Sequence, residues 1–185
     1  MPRVCILLAP GFEEIEAVTL IDVLRRADVE VVTLAVGSTA SLDVTGSHHI
    51  IVRADKALAA GATESWDMVI LPGGMPGSAN LRDDLDVRAL VQKQFKSGRR
   101  VGAICAAPIA LAAAGILAGK KATSYPGFEK DLAGATYLTS TVVRDGNVVT
   151  SRGPGTAFAF AFEIVNELCG RQAAETLRSG MLVAP

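Results

Sequence analysis

The sequence predicts a single α/β domain over residues 1–185, a mainly parallel sheet sandwiched by helices. Two observations lead there. Apolar runs of strand length alternate along the chain with segments of helical spacing. The runs are apolar throughout rather than at every second position, as strands buried on both faces require. Size agrees: 185 residues, half of them apolar and 20% charged, can bury one substantial core.

The elements follow in order. Arg3–Ala9 is the first apolar run, and Glu14–Ala27 follows it as a helix. The stretch Val4–Ala9 is too short for a signal peptide and reads as a buried strand. Glu30–Val36, rich in β-branched residues, is the second strand. Met68–Leu71 is the third, ending at the breaker Pro72-Gly73-Gly74. Asp83, Asp84 and Asp86 read as the solvated start of a helix over Leu85–Lys96, with Gly98 as its stop. Val101–Ile104 is the next buried strand, followed by a helix over Ala106–Ala114. Thr141–Arg144 and Asn147–Thr150 flank Asp145-Gly146, which predicts a hairpin with a type I′ turn. Ala157–Leu168 and Ala173–Arg178 are the closing helices. No internal repeat or low-complexity segment interrupts the series.

Composition excludes several function classes. Net charge is −1 with no long basic stretch, so a nucleic-acid face is not expected. No apolar segment approaches membrane-spanning length, and a cytoplasmic location is the expectation. Cys5, Cys105 and Cys169 are too few and too scattered for a disulfide framework. There is no Cys-x-x-Cys pair, and the two histidines, His48 and His49, are adjacent, so no metal site and no cofactor are expected.

In a parallel sheet, ligands sit at the carboxyl ends of the strands. Three segments fall there: Gly11–Glu16, Pro72–Gly77 and Cys105–Pro108. They are distant in sequence but can converge in space. Cys105 sits where a buried strand switches to a helix within one or two residues, among the small Ala103, Ala106 and Ala107. Pro108 suits the first helical turn, where a missing N–H costs nothing. A side chain at such an elbow is exposed at the top of the sheet. The helix end should lower its thiol pKa, which predicts a reactive thiolate. Cys5 lies inside a strand and Cys169 at a helix end, and both read as structural.

Glu13, Glu14 and Glu16 open the first helix, where acids suit the helix dipole. Spacing separates them. Glu16, Leu20 and Leu24 share one face, so Glu16 points along the apolar side. Desolvation there should raise its pKa and let it donate to a thiolate or shuttle a proton. Glu14 aligns with Val18 and Arg25 and is ambiguous. Pro72-Gly73-Gly74 could turn backbone N–H groups towards an oxyanion. Ser151–Thr156 lacks the lysine and spacing of a phosphate loop and reads as a tight connection or a subunit contact.

Together the segments APGFEEIEAV, DMVILPGG, GAICAAP (Gly102–Pro108) and TSRGPGTAF resemble, in the same order, the ThiJ/PfpI superfamily. The resemblance is to its branch of Parkinsonism-associated deglycases and bacterial YajL-type proteins, and runs from residue 3 to about 180. It implies a flavodoxin-like fold and a homodimer. It implies that Cys105 is a nucleophile that readily forms a sulfinic acid, with Glu16 as its protonated partner and the Gly74 and Ala106 backbone as the oxyanion site. The activities it implies are glutathione-independent glyoxalase, deglycase acting on α-oxoaldehydes or glycated groups, and redox-linked chaperone. The chain departs from some relatives at Tyr125, where they carry histidine, so a Cys–His pair at that position is impossible. Ala106 follows the cysteine where the protease-like branch has histidine, and no histidine lies after Cys105, which argues against peptidase and amidotransferase chemistry. Glu14, Tyr125, Arg25, Gly153 and Pro154 are candidates for the pocket or the dimer surface. The rival to the enzyme is a redox-sensing stress chaperone working by oxidation of Cys105.

Overall fold

The computed structural model describes residues 1–37 and 41–183. Its strands are β1 (Arg3–Leu8), β2 (Glu30–Ala35), β3 (Asp43–Thr45), β4 (Ile51–Arg53), β5 (Lys56–Ala57), β6 (Met68–Leu71), β7 (Arg100–Ile104), β8 (Lys121–Ala122), β9 (Thr136–Tyr137), β10 (Val142–Asp145) and β11 (Val148–Ser151). Its helices are α1 (Glu14–Arg26), α2 (Leu58–Gly61), α3 (Gly77–Asp83), α4 (Leu85–Lys96), α5 (Pro108–Ala113), α6 (Ala157–Cys169) and α7 (Arg171–Gly180).

The central sheet has seven strands in the order β10-β11-β7-β6-β1-β2-β5. All neighbours are parallel except β10, which pairs antiparallel with β11 at one edge. The central strands are mostly apolar and buried along nearly their whole length because both faces are covered. Val4, Ile6 and Leu8 pack with α1 and α6, while Cys5 and Leu7 face the opposite layer. Cys5 is an inert member of that layer, its thiol pKa raised by burial. Gly102 lets α6 approach the sheet, since a Cβ there would lie 2.7 Å from Met68 Cε and 3.1 Å from the Phe160 ring.

The chain leaves β1 to form β2 on one side and later returns to β6 on the other. The order therefore reverses between β1 and β6, and the crevice beyond their carboxyl ends is the expected binding position. Asp84 caps α4, accepting from the backbone N–H of Asp86 and Val87.

Two local expectations need correction. The hairpin exists, but its strands leave Gly146-Asn147 as the loop, and of these Gly146 carries the positive φ of +61°. That is the pattern of a type II′ turn, which needs the permissive residue first, rather than a type I′ turn. The helix after Cys105 begins at Pro108, not Ala106, and has six residues, because Cys105 to Ala107 form the turn itself. The short hairpin β3–β4 and the pair β8–β9 carry too few residues to show a period in the sequence.

Candidate active site

The three segments at the strand ends do converge. Glu13 N–H donates to the Gly73 carbonyl at 2.8 Å, and Gly77 N–H donates to the Gly11 carbonyl at 3.1 Å. Cys105 sits beside them in left-handed backbone, φ +63°, a conformation that costs a residue with a Cβ about 1–2 kcal/mol. Two long-range hydrogen bonds hold it there. Its N–H donates to the Ser151 carbonyl at 3.0 Å, and its carbonyl accepts from Tyr125 N–H at 2.8 Å. The elbow turns the sulfur towards the backbone N–H groups of Gly74 and Ala106, which favour its charged form.

Glu16 reaches the same point from α1. The Glu13 carboxylate caps that helix by accepting from Glu16 N–H at 2.7 Å. Glu16, Leu20 and Leu24 are all fully buried, as their spacing predicts. Glu16 Oε2 accepts from Gly73 N–H at 2.7 Å, while Oε1 is buried without a hydrogen-bond partner. Gly73 separates carboxyl from cysteine. A Cβ on Gly73 would lie 2.5 Å from Cys105 Cβ and 2.7 Å from Glu16 Oε2, so no side chain fits. Gly74, at φ +92°, has Glu13 N 2.4 Å from its Cβ position, which explains the second glycine.

Burial raises the Glu16 pKa to about 7, against the Gly73 N–H and the Cys105 thiol, which favour its charged form. A carboxyl with one bare buried oxygen is better tolerated protonated than charged. The expected lowering of the Cys105 pKa is not found. Burial, then the Glu16 charge, push the thiol up to about 12, outweighing the Gly74 and Ala106 N–H groups. The sequence shows a helix end, but that helix starts three residues on at Pro108 and has only six residues, and the sulfur is desolvated beside a carboxylate. The pair is therefore a thiol of raised pKa against a carboxyl of nearly neutral pKa.

The remaining candidates divide. Glu14 is buried but turned away from the sulfur. Its Oε1 accepts from His48 N–H at 2.6 Å, and its Oε2 faces His48 Nδ1 at 2.8 Å and Ser47 Oγ at 3.2 Å. Desolvation is overcome by these donors, and its pKa is held down at about 2. His48 is correspondingly raised, first by its hydrogen bond to Glu14. Glu13, Glu14 and His48 lie within 4.8 Å of one another, but their ligand atoms are engaged in capping α1 and holding the 46–50 loop. Tyr125, Gly153 and Pro154 stand together beside Cys105. They line a cavity of about 270 Å³, and a Cβ on Gly153 would lie 3.1 Å from the Tyr125 ring. Thr156 Oγ1 accepts from the N–H groups of Arg152 and Gly153, so that loop offers these amides to no phosphate. Arg25 lies apart, its guanidinium reaching Asp55 at 3.4 Å. Sequence reasoning missed Glu13 as a cap, Gly73 as a spacer, and the bracing by Ser151. A Gly-Gly pair after a strand was the one available signal.

A doubly wound parallel sheet with a strained cysteine and a buried carboxyl at its switch point defines a flavodoxin-like protein with a thiol–carboxyl site. The chain belongs to the DJ-1/PfpI family, which matches residues 2–167. It is 42% identical over 181 residues to protein dj-1beta of Drosophila melanogaster, covering 97% of this chain and 96% of that one. The crystal structure of Drosophila melanogaster DJ-1beta superimposes with a TM-score of 0.95 at 39% identity, covering 100% of this chain and 99% of the other. A Caenorhabditis elegans relative named glutathione-independent glyoxalase DJR-1.2 is 38% identical over 181 residues, 97% of this chain and 95% of its own. The chain spans 41% and 46% of the length of two Arabidopsis thaliana relatives, DJ-1 homologs B and A. Among the described residues no helix is long and apolar enough to cross a membrane.

Proposed function

We propose that this chain is a cofactor-independent glyoxalase and deglycase, acting through Cys105 on α-oxoaldehydes or their adducts with amines and thiols. The observation that carries this reading is the strained Cys105 beside a buried Glu16 of nearly neutral pKa, with two backbone N–H groups facing the sulfur. The relative named as a glutathione-independent glyoxalase supports the same substrate class.

The chemistry balances without an external oxidant. Glu16 takes the thiol proton, and the thiolate attacks the aldehyde carbon of methylglyoxal. The S–C bond forms as the carbonyl π pair moves to oxygen, where the Gly74 and Ala106 N–H groups stabilise the charge. Glu16 returns its proton to that oxygen, giving a hemithioacetal. Its carboxylate then removes the proton from the same carbon while the neighbouring carbonyl oxygen takes up the hydroxyl proton, and it returns the first proton to the neighbouring carbon as the C=O bond of the first carbon reforms. The first carbon is oxidised to a thioester while the second is reduced to an alcohol. Water cleaves the thioester, and methylglyoxal plus water has become lactate. A base near neutral pKa suits both proton transfers.

Lactate formation from methylglyoxal by the wild type and by Cys105→Ala tests the reading; equal rates would sink it. Mass spectrometry after mild peroxide keeps the redox reading in view. Oxidation of Cys105 at low dose with negligible aldehyde turnover would favour a sensor or stress chaperone. We also propose a homodimer, supported by the exposed Ile15 and Val18 on α1 and Ile50 and Ile51 beside it; sedimentation of the wild type against Val18→Lys tests it. A cytoplasmic location remains the accompanying expectation, checked by fractionation.

A further inference from the structure

We infer that Arg152 is a specificity residue that selects α-oxoaldehydes carrying a terminal carboxylate over neutral methylglyoxal, an inference that rests on the reading of Cys105 as an aldehyde nucleophile. The cavity of about 270 Å³ beside the elbow is walled by Tyr125, Pro126, Arg152 and the Gly153–Thr156 loop. Both walls are tied to the nucleophile by backbone. Tyr125 N–H donates to the Cys105 carbonyl, and the Ser151 carbonyl, one residue before Arg152, accepts from Cys105 N–H. The cavity is thus fixed relative to the Cys105 backbone, and it is large enough for a chain of several atoms beyond the dicarbonyl.

Its charge comes from one side chain. Arg152 is half-buried and donates from Nη1 to the Thr139 carbonyl at 3.1 Å, which orients the guanidinium. Among the described residues it makes no ion pair within 4 Å. Glu129 lies close enough to feel its charge, but both Glu129 oxygens accept from Gly127 N–H at 2.9–3.0 Å. Arginine has five N–H donors in a planar fork. One is used here, so the fork retains the geometry to take a carboxylate. The backbone cannot do this job, because Thr156 Oγ1 occupies the Arg152 and Gly153 N–H groups. The same threonine also bonds Ser151 Oγ at 2.8 Å, which stiffens the base from which Arg152 projects.

The probe is 4,5-dioxopentanoate, methylglyoxal with its methyl extended by two carbons ending in carboxylate. The steps above convert it with water to 2-hydroxyglutarate. In the wild type its kcat/KM should exceed that of methylglyoxal about tenfold. Arg152→Gln should bring the ratio near one, and Arg152→Lys should retain part of it, since charge remains without the fork. A ratio near one in the wild type, or one unchanged by Arg152→Gln, overturns the inference. Protection of Cys105 against iodoacetamide by each aldehyde reads binding without turnover. If neither aldehyde is turned over, the glyoxalase reading fails. The inference then stands if 4,5-dioxopentanoate protects at about tenfold lower concentration in an Arg152-dependent way, and falls if the two aldehydes protect alike.

Discussion

Glu14 and Glu16 open the same helix two residues apart, and both are buried, yet their carboxyls are held in opposite states. Glu14 meets the His48 and Ile50 N–H groups, the Ser47 hydroxyl and the His48 ring, and its pKa is held at about 2. Glu16 meets one backbone N–H and a thiol, and its pKa rises to about 7. Both are shielded from solvent, but Glu16 lies deeper and desolvation lifts its pKa, while the donors around Glu14 outweigh desolvation there. Glu14 is a permanent anion that pins the 46–50 loop to α1. Glu16 has few donors, with Oε1 bare, and in the proposed reaction it is the proton carrier for the neighbouring sulfur.

The largest effects should come from breaking the Glu16 side. Cys105→Ala should abolish lactate formation, a loss of about a thousandfold or more, because nothing else supplies a nucleophile. Glu16→Gln keeps the shape and removes the proton carrier. It should lower kcat by about 10²–10⁴ and erase any rise in rate through pH 7. Gly73→Ala attacks the spacing instead. With the new Cβ 2.5 Å from Cys105 Cβ, the elbow or α1 must shift, at about 1–3 kcal/mol of stability measured by urea unfolding.

Glu14→Gln should show its effect in stability rather than in proton transfer, about 2 kcal/mol by the same unfolding measurement, because charged acceptors are replaced by a neutral amide. The smallest effects should be in pH dependence, with opposite signs. The Glu14 pKa lies below the ordinary 4.5, so its contribution is present above pH 4.5 and lost as pH falls towards about 2. The Glu16 pKa lies above 4.5, so its protonated form favours folding at low pH, and that contribution is lost as pH rises through about 7. At pH 8, Glu16→Gln should therefore melt no lower than the wild type, while Glu14→Gln should melt lower.

The same two residues show how far the sequence could be read. Glu16 was legible because Leu20 and Leu24 lie one and two turns away on the same face, a local periodicity. Cys105 was legible because strand and helix patterns meet on it. The parallel sheet and the bounds of β1, β2, β6 and β7, to within a residue, followed from apolar runs, whereas β5 has two residues and left no such run. Glu14 was not legible, since its partner His48 is 34 residues away and no period links them. Nor was the state of the thiol. The helix end is written in the sequence, but the burial of the sulfur and its contact with Glu16 are properties of the assembled site. Ser151 braces Cys105 through its backbone carbonyl, which every residue carries, and Gly73 acts by lacking a side chain, which a Gly-Gly turn after any strand would also show.

The central claim is that Cys105 and Glu16 share one proton, with Glu16 as its acceptor near neutral pH. The rate of Cys105 alkylation by iodoacetamide against pH, in the wild type and in Glu16→Gln, tests it most directly. A step near pH 7 that disappears in Glu16→Gln is the predicted result. Superimposable profiles, with the thiol titrating near its ordinary value of 9.0 in both proteins, would contradict it.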